Sequence, residues 1–144
     1  MSADRIMTPF EVQIAATDTN NEIRATEIQL RQQVRGWFSA AKPSVFKQIN
    51  NTLITQTVAN TSPIVVTTFV KNYDTKIYYV KPLSKMGYEA ADKTIKEESA
   101  TQCNLIGDFI KAQGHNLVNT TANLDRDYGI MDIQCQFTFG TNKK

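Results

Sequence analysis

Residues 130–139, Ile-Met-Asp-Ile-Gln-Cys-Gln-Phe-Thr-Phe, alternate between apolar and polar side chains. Because successive side chains of a strand point to opposite faces, this stretch predicts a half-buried β-strand. Its apolar face would carry Met131, Ile133, Cys135, Phe137 and Phe139. Its polar face would carry Asp132, Gln134, Gln136 and Thr138. An open polar face is typical of an antiparallel sheet with one side in water, and not of a buried parallel sheet.

Length and composition predict a single globular domain, residues 1–144. The chain has 144 residues, of which 41% are hydrophobic and 21% charged, values that are typical of soluble proteins. No stretch approaches the roughly 20 apolar residues of a membrane helix, so no membrane partner is expected. The start of the chain lacks an apolar signal segment, and Ser2 stands where myristoylation needs glycine. We therefore expect synthesis in the cytosol.

The first half of the chain predicts a strand followed by helices. Residues 10–14 alternate after Pro9, as a first strand would. Thr19 and Glu22 have the spacing of a capping box at a helix start. Pro43 is expected to end this helix or to open the next turn, and a short helix is expected to continue to about residue 51. The apolar stripe of the first helix would be Ile23, Leu30, Val34, Trp37 and Ala41.

The second half predicts a hairpin, a helix and two more strands. Residues 64–70 and 76–80 are rich in β-branched and aromatic side chains, with turn formers at 72–74 between them. A helix is expected over 88–113, ended by Gly114 in the left-handed conformation. A weaker strand, 116–122, would lead through a turn at 123–129 into the closing strand. The expected helix stripe is Ala91, Ile95, Ser99, Cys103, Ile106 and Ile110, widened by Leu105 and Phe109.

The order of these elements predicts the α+β class. It reads β-α-(α)-β-β-α-β-β, which contains the split β-α-β arrangement of ferredoxin-like folds. In that arrangement an antiparallel sheet carries two main helices on one face. The other face would meet water or a partner, which explains the polar side of the closing strand. Many unrelated functions use this architecture, so the fold alone predicts no function.

Few residues are candidates for chemistry. Cys103 and Cys135 are far apart and lack a CxxC or His-rich context, so we expect neither a metal nor a cofactor. Two reduced core thiols are the preferred interpretation, and a disulfide is the alternative. The single histidine, His115, follows Gly114 and is interpreted as a favourable cation at a helix C-terminus. Asp125 and Asp127 lack the further ligands of a calcium loop and are interpreted as turn residues.

One set of residues keeps a nucleic-acid interpretation open. Arg24, Arg31 and Arg35 are spaced to line one side of the first helix, although Glu27 partly neutralises the row. Tyr78 and Tyr79 are flanked by lysines and could stack on bases. The alternative function is therefore a single-stranded nucleic-acid-binding module. The net charge of +2 is too small to imply such a partner by itself.

The preferred hypothesis is a non-enzymatic structural or assembly protein. Thr, Asn and Gln together supply 38 of the 144 residues, and such side chains form hydrogen bonds without bringing charge. No residue set matches a known catalytic arrangement. A homo-oligomer, or contacts with structural protein partners, is expected through the polar sheet and its strand edges. The candidate interface residues are Thr67, Thr68, Gln134 and Gln136.

In size, polar composition and closing amphipathic strand, the chain resembles small α+β components of phage particles, such as tail-completion and tail-terminator proteins. The resemblance covers the order of the elements and rests on no motif, so no residue role is carried across. It implies a ring or sheath-like oligomer within a virion.

Overall fold

The computed structural model of the chain describes residues 19–56, 63–74, 85–127 and 130–140. Within these ranges there are two helices and a three-stranded antiparallel sheet, which confirms the α+β class. The predicted strands at 10–14 and 76–80 lie outside the described residues, so the ferredoxin-like order is not established. The elements are α1 (Thr19–Gln56), β1 (Ile64–Asp74), α2 (Lys85–Ala112), β2 (Leu117–Asp127) and β3 (Ile130–Phe139).

The prediction that α1 stops at Pro43 is wrong, because α1 runs unbroken to Gln56 with Pro43 inside it. An internal proline removes one helical hydrogen bond and leaves the carbonyl four residues earlier without its donor. Here that carbonyl belongs to Ser39, and both Ser39 and Pro43 are exposed, so water can bind it. Phe38 and Val45, on either side of the proline, are buried. Their packing holds both halves of the helix against the core.

The closing strand β3 occupies the centre of the described sheet, whose order is β1-β3-β2. Both neighbours run antiparallel to β3; Thr68 and Ala122 both lie opposite Cys135. Residues that alternate along each strand therefore form two continuous faces. We call the face packed against the helices the covered face, and the opposite one the open face. The predicted apolar side of β3 lies on the covered face: all five of its residues are buried, so that prediction is confirmed.

The two helices form one layer over the covered face. α1 lies mainly on β1, and α2 mainly on β2. The helices run in the same direction, since Arg35 contacts Glu98 and, eleven residues further along both helices, Phe46 contacts Phe109. Each helix is thus followed by an antiparallel strand beneath it, and β3 fills the space between the two strands.

A bulge in β1 explains why the turn expected at residues 72–74 is wrong. Phe69 lies opposite Gln134 and Lys71 opposite Ile133, so Val70 is the extra residue. Such an insertion lets the strand continue with a changed twist. Lys71 then reaches the covered face, with its Nζ 5.9 Å from the centre of the Trp37 ring. Tyr73 follows, completely buried and tilted against Trp37 at a centroid distance of 5.1 Å.

The prediction for α2 is largely confirmed. All six residues of the expected stripe are buried, and Gly114 has φ of 91°, the left-handed conformation that favours glycine. The widening by Leu105 and Phe109 is wrong, because both are about half exposed on the outer side of the helix layer. A strand to Asp127 also replaces part of the turn expected at 123–129.

Two details fix α2 on the sheet. A Cβ added to Gly107 would stand 2.6 Å from the Oγ1 of Thr120, so glycine permits this close approach of helix and strand. Cys103 and Cys135 form a disulfide between α2 and β3, with Cα atoms 5.6 Å apart, a separation typical of such bonds. The expectation of two reduced thiols is therefore wrong, because α2 crosses β3 at the point where both apolar stripes present a cysteine.

Candidate functional site

The open face is the largest polar surface that the described strands build together. β3 contributes Asp132, Gln134, Gln136 and Thr138, which the register places between exposed residues of both neighbours. These four side chains are partly buried, since they are flanked on both sides. The neighbouring strands contribute Val65, Thr67, Phe69 and Asn72 from β1, and Asn119, Thr121, Asn123 and Asp125 from β2.

Amide side chains on this face donate hydrogen bonds to side chains of the adjacent strand. The Nδ2 of Asn123 donates to the Oε1 of Gln136 at 3.2 Å, and the Nδ2 of Asn72 donates to Asp132 at 2.8 Å. Each primary amide has two donor hydrogens and an oxygen with two lone pairs. Such a bond leaves further donor and acceptor capacity on each amide, which can bind water or a partner. Hydrogen bonds thus hold side chains of the open face in place, while some of their donors and acceptors remain unused.

The charge on the open face is confined to one end. Asp125 and Asp132 are direct cross-strand neighbours there, and the next row of the register adds Asp74 and Asp127. Among the described residues of this face no lysine or arginine occurs. The middle and the opposite end, around Thr121, Gln136 and Thr138, carry no charge. Like charges directly opposite in a sheet destabilise it, and here the Asn72 amide binds one of the two carboxylates.

Apolar side chains also lie exposed on this face: Ile130, 40% exposed, at its acidic end, and three others elsewhere. Phe69 is 55% exposed and lies opposite Gln134, while Val65, 52% exposed, lies opposite Thr138. Val118, 60% exposed, occupies an irregularity between Leu117 and Asn119 in β2. The sequence pattern did not single out these three residues. β1 has β-branched or aromatic residues on both faces, so its alternation could not say which face was covered.

The four residues predicted as an interface do not share one environment. Thr67, Gln134 and Gln136 lie on the open face, where Thr67 and Gln136 are opposite each other. Thr68 is completely buried on the covered face, and its hydroxyl donates to the carbonyl of Cys135 at 3.3 Å. The side chain of Thr68 is therefore part of the core packing, and only its backbone belongs to the β1 edge.

The basic residues of α1 are partly engaged within the chain. Arg31 pairs with Glu27 one turn earlier at 3.7 Å, and Arg35 pairs with the buried Glu98 at 3.1 Å. Glu98 also accepts a hydrogen bond from Gln102. Arg24 is exposed. Tyr78 and Tyr79, the proposed stacking residues, lie outside the described residues.

The remaining candidates for chemistry are dispersed. His115 is partly buried, with its ring 6.4 Å from that of Phe139, at the end of the sheet away from Asp125 and Asp132. Nowhere in the described ranges do three or more His, Cys, Asp or Glu side chains gather in a way that could hold a metal ion. Of the two described helices, neither has the length and apolarity to cross a membrane.

Comparisons of the chain with protein families, with curated proteins and with solved structures found no match.

Proposed function

We propose that the chain is a non-enzymatic structural or assembly protein that joins other protein chains through its open face. The observation that supports this best is the amide-rich surface across three strands, which is charged only at its acidic end and has Phe69 exposed within it. Uncharged donors and acceptors can be transferred from water into a contact at far lower cost than charges. Aromatic residues that anchor interfaces lie in such surroundings.

The proposal concerns the face and not the strand edges. The side-chain amide of Gln48 already donates to the carbonyl of Thr67 at 3.0 Å, which occupies one backbone acceptor of β1. For the whole chain we propose the ferredoxin-like-related order, in which predicted strands at 10–14 and 76–80 join this sheet. Additional strands would cover edges, whereas the open face would remain available.

We further propose that the assembly is a particle, with the chain made in the cytosol and incorporated into a virion as a phage tail component. The support is the resemblance in size, polar composition and closing strand to tail-completion and tail-terminator proteins. A component of this kind would need one face committed to neighbouring subunits and one face committed to its own core. The covered face of β3 packs against the helices, which leaves the open face as our candidate for those neighbours.

Single-stranded nucleic-acid binding receives less support. Two of its three arginines have carboxylate partners within the chain, and the described part of the open face offers no cation to phosphates. Replacing Arg24 and Arg31 with Ala, which leaves the Arg35–Glu98 contact intact, tests this alternative. Submicromolar binding to single-stranded DNA at physiological salt, lost in that variant, would favour nucleic-acid binding over assembly.

The assembly proposal can be tested by sedimentation of extracts that contain the chain in its native setting. The wild type should sediment faster than a 16.2 kDa monomer. Changing the cross-strand neighbours Thr121 and Gln136 to Arg places two charges in the middle of the open face. That variant should return to the monomer fractions.

The matched control changes Thr101 and Asn104 to Arg, since both are exposed on α2 in the opposite layer. The control should sediment like the wild type, and circular dichroism should show all three proteins folded. If the open-face variant and the wild type sediment alike, or if the control loses assembly equally, the open face is not the joining surface.

A further inference from the structure

We infer that the partner of the open face is a second copy of the same face, related by a two-fold axis; this rests on the proposed function. A two-fold contact places one patch against itself, so the patch must complement itself. Amides meet this condition because each carries both donor and acceptor groups. Among described residues the face has carboxylates but no cation, so a strongly charged partner of either sign finds no matching charge across most of its area.

The acidic end determines the orientation of the two copies. If the axis ran along β3, the strands of both copies would point the same way, Asp132 would meet its own counterpart, and the two acidic ends would lie together. An axis lying between the sheets and perpendicular to β3 reverses the second copy, which separates the two acidic ends. Like charges across an interface are costly, so the second arrangement is favoured. Both arrangements keep the strands aligned, as in face-to-face sheet packing, so the position of the carboxylates decides between them.

This axis would cross β3 at the level of Cys135, midway along the open face. Each strand then lies over its own copy, and Gln134 of one copy faces Gln136 of the other. Phe69 is on the level of Gln134, one residue or about 3.3 Å from the axis. The two Phe69 rings therefore approach each other across sheets about 10 Å apart, which gives the contact an apolar centre on one side.

A charge exchange at Gln136 tests the symmetric contact with purified protein. The wild type should have twice the 16.2 kDa mass of the chain by light scattering over a concentration series. Gln136→Lys and Gln136→Glu each place like charges close to the axis and should weaken the dimer by on the order of 100-fold. An equimolar mixture of the two variants should recover a dimer that contains one of each.

The matched controls are Asn104→Lys and Asn104→Glu, which introduce the same charges on the exposed side of α2 and should remain dimeric. A wild type that stays monomeric at millimolar concentration overturns self-pairing. The proposed function would still stand if the same protein sediments in a heavier complex in extracts. Monomeric behaviour in both settings would remove both proposals.

Crosslinking decides the orientation. Asn119 and Asp125 lie at opposite ends of β2, opposite Thr138 and Asp132 of β3. In the reversed arrangement, Asn119→Cys of one copy approaches Asp125→Cys of the other. A short bis-maleimide should therefore link a mixture of the two variants and leave each variant alone unlinked. Links within each separate variant, and none between them, would overturn the reversed arrangement. The unmodified protein serves as the control for links through Cys103 and Cys135, which are fully buried.

Discussion

The two faces of β3 come from alternate residues of one strand, yet they have opposite physical characters. On the covered face, Ile133, Cys135 and Phe137 are completely buried. On the open face, Gln134 and Gln136 remain partly accessible, and Gln136 accepts a hydrogen bond from Asn123. Alternation along ten residues thus gives the two faces different roles. The side chains of the covered face stabilise the fold, and those of the open face are free to take part in contacts.

The separation is also visible in how polar groups are treated on each side. Thr68 is a polar residue on the covered face, and its hydroxyl is bonded to a backbone carbonyl there. Leaving such a group buried without a partner would cost about 1–3 kcal/mol. The open-face amides are under no such requirement, because water can satisfy them. Substitutions on the two faces should therefore differ strongly in their effect on stability.

The largest effect is expected for Phe137→Ala. Phe137 is completely buried between the helices and the sheet, and its truncation removes apolar contacts and leaves a cavity. We expect a loss of about 3–5 kcal/mol in the free energy of unfolding, measured by urea denaturation. Ile133→Ala should lose about 2–5 kcal/mol for the same reason. A loss below that of a glutamine change on the open face would mean that the two faces have been assigned in reverse.

Removing the disulfide should have the next largest effect. The bond closes a loop between residues 32 apart in sequence, and the chain-entropy account gives about 3–4 kcal/mol for a loop of this size. The double variant Cys103→Ala, Cys135→Ala should lose about that much stability in denaturant. Mass spectrometry of unreduced wild type should find two hydrogens missing. Full thiol labelling of the denatured, unreduced protein would contradict the bond.

The fold could be predicted from the sequence wherever a single local pattern dominated a segment. The closing strand was predicted correctly because its alternation has a single solution, and the α2 stripe was predicted because one apolar line was bounded by Gly114. Position 43 misled because proline is normally a helix terminator, and only the exposure of Ser39 shows how the lost hydrogen bond is tolerated. At Pro43, the packing of Phe38 and Val45 on the core decided what a local preference left open.

For the candidate site, too, the prediction was correct where a single pattern dominated. Gln134 and Gln136 were placed on the open face by their parity in a strongly alternating strand. The side chain of Thr68 could not be placed in this way, because β1 carries β-branched residues at both parities, and the structure places Thr68 on the covered face. The disulfide was missed because the distance between two cysteines in sequence says nothing about how α2 crosses β3.

A smaller effect is expected at the contact between α2 and β2. Gly107→Ala would bring a methyl group 2.6 Å from the Oγ1 of Thr120 and 3.1 Å from the Cδ2 of Leu117. The Thr120 and Leu117 side chains must change conformation, or the helix and strand must move apart, which typically costs about 1–3 kcal/mol, despite the gain in helix propensity. Thermal denaturation measures the change. If the contact with Thr120 causes the loss, adding Thr120→Gly to Gly107→Ala should restore part of the stability. Adding Thr120→Ser, which keeps the conflicting hydroxyl, should restore less.

The smallest effect is expected for Gln136→Ala, made on the same strand as Phe137→Ala and one residue away. Its side chain accepts one partly exposed hydrogen bond from Asn123, which water can replace, so the monomer should change by less than about 0.5 kcal/mol. The measurement is urea denaturation at a protein concentration low enough to keep the chain monomeric. At high concentration the same variant should dissociate more readily than the wild type, because the amide at the centre of the open face is missing. A variant that is silent at every concentration would leave Gln136 as ordinary solvated surface, while a loss as large as that of Phe137→Ala would abolish the distinction between the two faces.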